Sequence, residues 1–188
     1  MRMKRDNERK TEHAVRPLAV AGLIAGAYTA LSLVLAPLSF GPVQCRVAEA
    51  LTLLATLTPA AIPGLTVGCL LTDLIGLSLG ANVAGALDVA VGTLATAAAA
   101  WLSWRVRNVA WRGFPLLAAV PPILLNAIAV GTELTLLSPA PSVTVWWIEA
   151  GLIAAGETVA CVAGVLLVKG LRACGAAAWL TGERHSTD

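Results

Sequence analysis

Six apolar runs alternate with short proline- or glycine-rich breaks along the chain. The first covers about Pro17 to Ala36, with a proline at an allowed first-turn position. A hydrocarbon core of ~30 Å takes about 20 helical residues, so this run predicts a spanning helix. It ends at Ala36-Pro37, and the chain turns through Phe40-Gly41-Pro42. The second run, about Cys45 to Thr58, is shorter at about 14 residues and closes on Thr58-Pro59. By length alone it is re-entrant or spanning. The third runs from about Pro63 to Leu79, and Gly76, Gly80 and Gly85 mark the break after it. The fourth covers about Ala86 to Trp104 and closes on Arg105 and Arg107. The fifth covers about Phe114 to Leu137, with Pro121-Pro122 inside, which predicts a kink. Ser138-Pro139-Ala140-Pro141 is a short loop before the sixth, about Val143 to Leu171. The fold class predicted is all-α: an integral membrane protein with six transmembrane helices. A basic tail (residues 1–16) precedes the membrane domain (17–171), and a polar tail (172–188) follows it.

Composition agrees with this pattern. Apolar residues make up 57% and charged residues 13%, and the mean hydropathy is +0.79. That excludes an ordinary soluble domain. A basic start followed by an apolar run also suits a signal peptide, but the first run is too long for one. Charge then sets the topology. With six crossings, the N-terminal tail, the 105–112 loop and the C-terminal segment share one side. That side collects 12 of the 13 Lys and Arg residues, which makes it the cytoplasm and places both termini there. Without the second run as a crossing, Arg105, Arg107 and Arg112 would move outside, so it counts as one despite its length.

The remaining cation is Arg46, with Glu49 one helical turn on and able to pair with it. Ionisable groups within membrane segments are costly and mark function by default. Six acids lie in or beside the runs: Glu49, Asp73, Asp88, Glu133, Glu149 and Glu157. This topology puts Glu157 near mid-depth and the others toward the outer side. Asp88 reads equally well as a carboxylate at a helix N-terminus. One cation among six acids points to protonated carboxyls, a wet cavity, or a cationic ligand that donates hydrogen bonds. Asn126 and Glu133 are seven apart and share a helix face; Glu149 and Glu157, eight apart, nearly do. Trp146 and Trp147 open the sixth helix, as an interfacial aromatic belt or as a stacking face for a planar ligand. Glu133, Glu157, Asn126, Trp146, Trp147, Glu49 and Arg46 are the candidate substrate-binding residues, with Glu133 and Glu157 leading.

On the first helix, Ala21 and Ala25, and Gly22, Gly26 and Ala30, are spaced by four. Small residues at that spacing let another helix approach closely, within this chain or on a partner. The cysteines, Cys45, Cys69, Cys161 and Cys174, lack CxxC spacing and read as small buried hydrophobes. His13 and His185 lie in the tails, which leaves no histidine for a metal site in the membrane. No nucleophile–base motif and no GxxxxGK[ST] phosphate loop is present, so neither catalysis nor ATP hydrolysis is expected. Nothing implies a cofactor or a nucleic-acid partner. Six short helices without an inverted repeat are small for a self-sufficient secondary transporter.

Several segments carry a family resemblance: APLSFGPVQCRVAEALTLL, AAIPGLTVGCLLTDLIG, LDVAVGTLATAAAA, PPILLNAIAVGTEL and GETVACVAGVLL, in order along residues 17–171. They resemble the QueT family of queuosine-precursor transporters, substrate-specific S components of energy-coupling factor (ECF) importers. The chain departs at Thr72-Asp73, where Ala-Asn is expected in relatives. The resemblance implies an outward-facing site closed by the loop between the first two helices, anchored by Arg46 and Glu49. It also implies docking of the Ala21, Ala25, Gly22 and Gly26 stripe on a membrane scaffold subunit, and two cytoplasmic ATPases as further partners. The implied substrate is a queuosine precursor, most simply 7-aminomethyl-7-deazaguanine. Other readings are an S component for another cationic or purine-like vitamin, and a stand-alone proton-coupled carrier.

Overall fold

The computed structural model describes residues 2–39, 46–82, 84–109 and 114–181, with backbone alone for residues 2–14 and 38. The described residues are helical almost throughout: α1 (Arg2–Val34), α2 (Ala36–Ser39), α3 (Ala61–Ser78), α4 (Ala86–Arg105), α5 (Val120–Leu137), α6 (Val143–Ala173) and α7 (Ala176–Thr181). Two 3-10 helices, Val47–Thr56 and Leu116–Ala119, join them. Five stretches are long and apolar enough to cross a membrane: Val15–Val34, Ala61–Ser78, Ala86–Arg105, Leu116–Leu137 and Val143–Ala173.

Three sequence expectations change. First, α1 runs through the basic tail, so Pro17 is interior to it rather than in its first turn. Second, Pro121-Pro122 makes no mid-helix kink. The prolines occupy the first turn of α5, where a missing N–H costs nothing, and the 3-10 turn before them absorbs the bend. Third, the second run is a 3-10 helix over its ten residues, not an α-helix.

That third change has a physical reason. Gly64 of α3 lies against Ala21 of α1, and Gly68 lies against Ala25, so α1 and α3 run parallel. The segment between them must therefore carry the chain back along the bundle. A 3-10 helix rises ~2.0 Å per residue against 1.5 Å for an α-helix, so few residues go further. It is also narrower, and this one is wedged among α1, α3, α4 and α6. Eight of its residues are buried, from Ala48 to Thr56. At the tightest point the carbonyl of Ala50 meets Gly164 of α6, where a Cβ would collide with it. Gly164→Ala is therefore expected to lower stability by roughly 1–3 kcal/mol, an overpacking cost, read by thermal unfolding in detergent. Unchanged stability would mean that the wedge is loose.

The remaining helices pack in sequence as antiparallel neighbours. The Ser103 hydroxyl of α4 donates to the Ala118 carbonyl at 2.7 Å, and Asp88, at the other end of α4, lies in the field of Glu133 on α5. Gly131 of α5 lies against Ala150 of α6. The apolar core of Val20, Ile24, Leu53, Leu65 and Val168 fills the half of the bundle nearer the N-terminus of α3. Acidic residues line the other half.

Candidate functional site

The site begins with α5 and α6. The seven-residue spacing of Asn126 and Glu133 puts both on the buried face of α5, at 0% and 2% exposure. Glu157 of α6, at 0% exposure, faces Asn126, with Glu133 two turns further along α5. The Asn126 amide donates to Glu157 Oε1 at 3.1 Å. That bond fixes which way the amide points and leaves its oxygen free. Asn126 Oδ1, Glu157 Oε2 and both Glu133 oxygens are then buried without a hydrogen-bond partner. A buried polar atom without a partner costs about 1–3 kcal/mol, which makes Asn126, Glu133 and Glu157 candidates for ligand contact. All four are acceptors.

Thr93 Oγ1 on α4 is a fifth unpartnered atom. In the same bundle Thr66, Thr72, Thr132, Thr135 and Thr158 return their hydroxyls to the carbonyl four residues back.

A second group of polar residues lies beside the first and is satisfied internally. The Arg46 guanidinium pairs with Asp88, and Asn82 donates to the other Asp88 oxygen at 3.0 Å. Glu49 is held by three hydroxyls: Tyr28 at 2.7 Å, Thr96 at 2.6 Å and Thr52 at 2.5 Å. Cys69 donates to Asp73 at 3.4 Å. Arg46 and Asp73, with Tyr28, Ser32, Ser39 and Thr72, line a small cavity of about 10 Å³. Among the described residues Arg46 is the one buried cation, against the buried carboxylates of Glu49, Asp73, Asp88, Glu133 and Glu157.

One expectation is corrected here. Arg46 pairs with Asp88 on another helix, not with Glu49; the 3-10 geometry turns Glu49 toward Tyr28 and Thr96 instead. Asp88 lies in the first turn of α4, as its reading as a helix N-terminal carboxylate expects, and is fully buried in that pair. The small-residue stripe of α1 also divides. Ala21 and Ala25 face α3 against Gly64 and Gly68, whereas Gly22 and Gly26 are exposed with open space around them.

The tryptophans stand apart from the acids. Trp146 donates its indole N–H to the exposed Thr132 hydroxyl at 2.9 Å and meets Trp147 edge to face at 4.8 Å. Trp147 is 67% exposed. Glu149 is partly exposed two turns before Glu157. Most of the loop expected to cover the site, with Cys45 beside it, lies outside the described residues.

Sequence reasoning missed Tyr28, Thr96, Thr93 and Asn82. A signal existed for Tyr28: it is the chain's single tyrosine, seven residues after Ala21 and therefore on the face turned to α3. Thr96, eight residues after Asp88, repeats the same logic on α4.

Five membrane-length helices with unpartnered polar atoms buried among them define a multi-pass membrane protein. The family model described as QueT transporter matches residues 18–173. The match covers most of the chain, which belongs to the QueT family and serves transport, not catalysis. Searches of curated proteins and of solved structures gave no match.

Proposed function

We propose that this chain is the substrate-capturing S subunit of an ECF importer and takes a queuosine precursor from outside the cell. The observation that carries the reading is the set of four buried acceptors on Asn126, Glu133 and Glu157, beside a cation already neutralised by Asp88. Such a site asks for a ligand that is cationic and rich in N–H groups. 7-Aminomethyl-7-deazaguanine is both. Its ammonium suits a carboxylate, and its guanine-like edge offers donors in a row that a second carboxylate accepts in pairs. Trp146, the less exposed of the two tryptophans, is our candidate for a stacking face, at the cost of its bond to Thr132. Arg46 and Glu49 serve to hold the 3-10 helix rather than to touch the ligand.

Six crossings, counting the 3-10 helix, put both termini in the cytoplasm. The exposed Gly22 and Gly26 are the stripe available for a scaffold subunit, with two ATPases completing the importer. Ala21 and Ala25 contribute indirectly, by seating α1 on α3. Isothermal calorimetry on the purified chain is expected to show binding of the amine at micromolar ligand. No heat at that concentration would remove the substrate assignment. Uptake by the chain alone in vesicles, driven by a proton gradient without ATPases, would favour an independent carrier instead.

A further inference from the structure

Most close-packed glycines of the bundle meet backbone. A Cβ on Gly64 would lie 2.6 Å from the Ala21 carbonyl oxygen, and one on Gly131 would lie 2.9 Å from Ala150 Cα. Gly92 differs. Its Cβ would lie 2.6 Å from Nη1 and 3.0 Å from Nη2 of Arg46, and 3.0 Å from Asp88 Oδ1. The missing side chain at 92 is the slot that the guanidinium end of Arg46 occupies against α4. Asp88, one turn earlier on the same helix, faces that slot, with its far oxygen held by Asn82. A methyl at Gly64 or Gly131 pushes on backbone and threatens the fold. A methyl at 92 pushes on the free end of a flexible side chain, which can move.

We propose that Gly92 is a positioning residue for charge selectivity: it keeps the Arg46 guanidinium on Asp88 and away from the acids that receive the ligand. The inference rests on the reading that the ligand is cationic. Gly92→Ala drives the guanidinium off Asp88 and lowers stability, so thermal unfolding in detergent confirms folding before binding is read. The other buried carboxylates are Asp73, which lines the same small cavity as Arg46, with Glu49, already held by three hydroxyls, and Glu133 and Glu157. There a fixed positive charge competes with a cationic ligand and leaves a neutral one nearly untouched.

The test compares two ligands by calorimetry on wild type and Gly92→Ala: 7-aminomethyl-7-deazaguanine, and the same ring with a neutral methyl in place of the aminomethyl group. The expected result is a loss of about tenfold or more for the amine, with the neutral ring changed by less than about threefold. Arg46→Lys in the Gly92→Ala background is expected to recover amine binding, because the narrower ammonium reaches Asp88 past a methyl. Equal losses for both ligands, or no loss for either, would overturn the proposal, as would failure of the Lys variant to rescue. If wild type does not bind the amine at all, the cationic-ligand reading itself fails, a separate and distinguishable result.

Discussion

Glu157→Gln is expected to weaken binding of 7-aminomethyl-7-deazaguanine by about 2 kcal/mol or more, the scale for a hydrogen bond to a charged group. Two effects add. The negative charge facing the ligand is lost. The geometry also turns against the ligand, because Asn126 donates to Oε1 and holds that oxygen in place. The Gln amide nitrogen then occupies the position of the free Oε2, so a donor meets the donors of the ligand. Stability provides the control. The free protein gives up a buried carboxylate oxygen that has no partner, so its unfolding temperature should hold or rise. Glu133→Gln should act in the same direction, since both of its oxygens are unpartnered. Calorimetry on the variants beside wild type reads both. Unchanged affinity in each, with intact folding, would take these acids out of the site.

Arg46→Met is expected to destabilise the protein by about 3–5 kcal/mol, because it leaves the Asp88 carboxylate buried without its counter-charge. Asn82 still donates one hydrogen bond to Asp88, which does not replace a cation. Removing both charges together, as Arg46→Met with Asp88→Asn, should restore much of the loss, since a buried pair is worth far less than the cost of breaking it. Thermal unfolding in detergent measures the cycle. If the single and double variants are equally unstable, Arg46 acts through packing and not through Asp88.

The apolar runs made most of the fold legible. Their length and apolar character carry information that any neighbouring helix leaves unchanged. Asn126 and Glu133 could be paired from a seven-residue spacing because both sit on one regular helix. What stayed hidden depended on contacts between helices. The partner of Arg46 is 42 positions away on α4, so local spacing pointed to Glu49 instead. The 3-10 form of Val47–Thr56 follows from its wedging among four helices, which composition does not encode. Ala21 and Gly22 look alike in a small-residue pattern, yet one faces α3 and the other faces outward. Family segments pointed to membership in a transporter family, which no spacing could supply.

A structure of the chain with 7-aminomethyl-7-deazaguanine bound tests the central claim most directly. The account predicts the ring between α5 and α6, with its N–H groups on Glu133, Glu157 and Asn126 Oδ1 and with Arg46 still on Asp88. A ligand held elsewhere, with those acceptors still unpartnered, would contradict it.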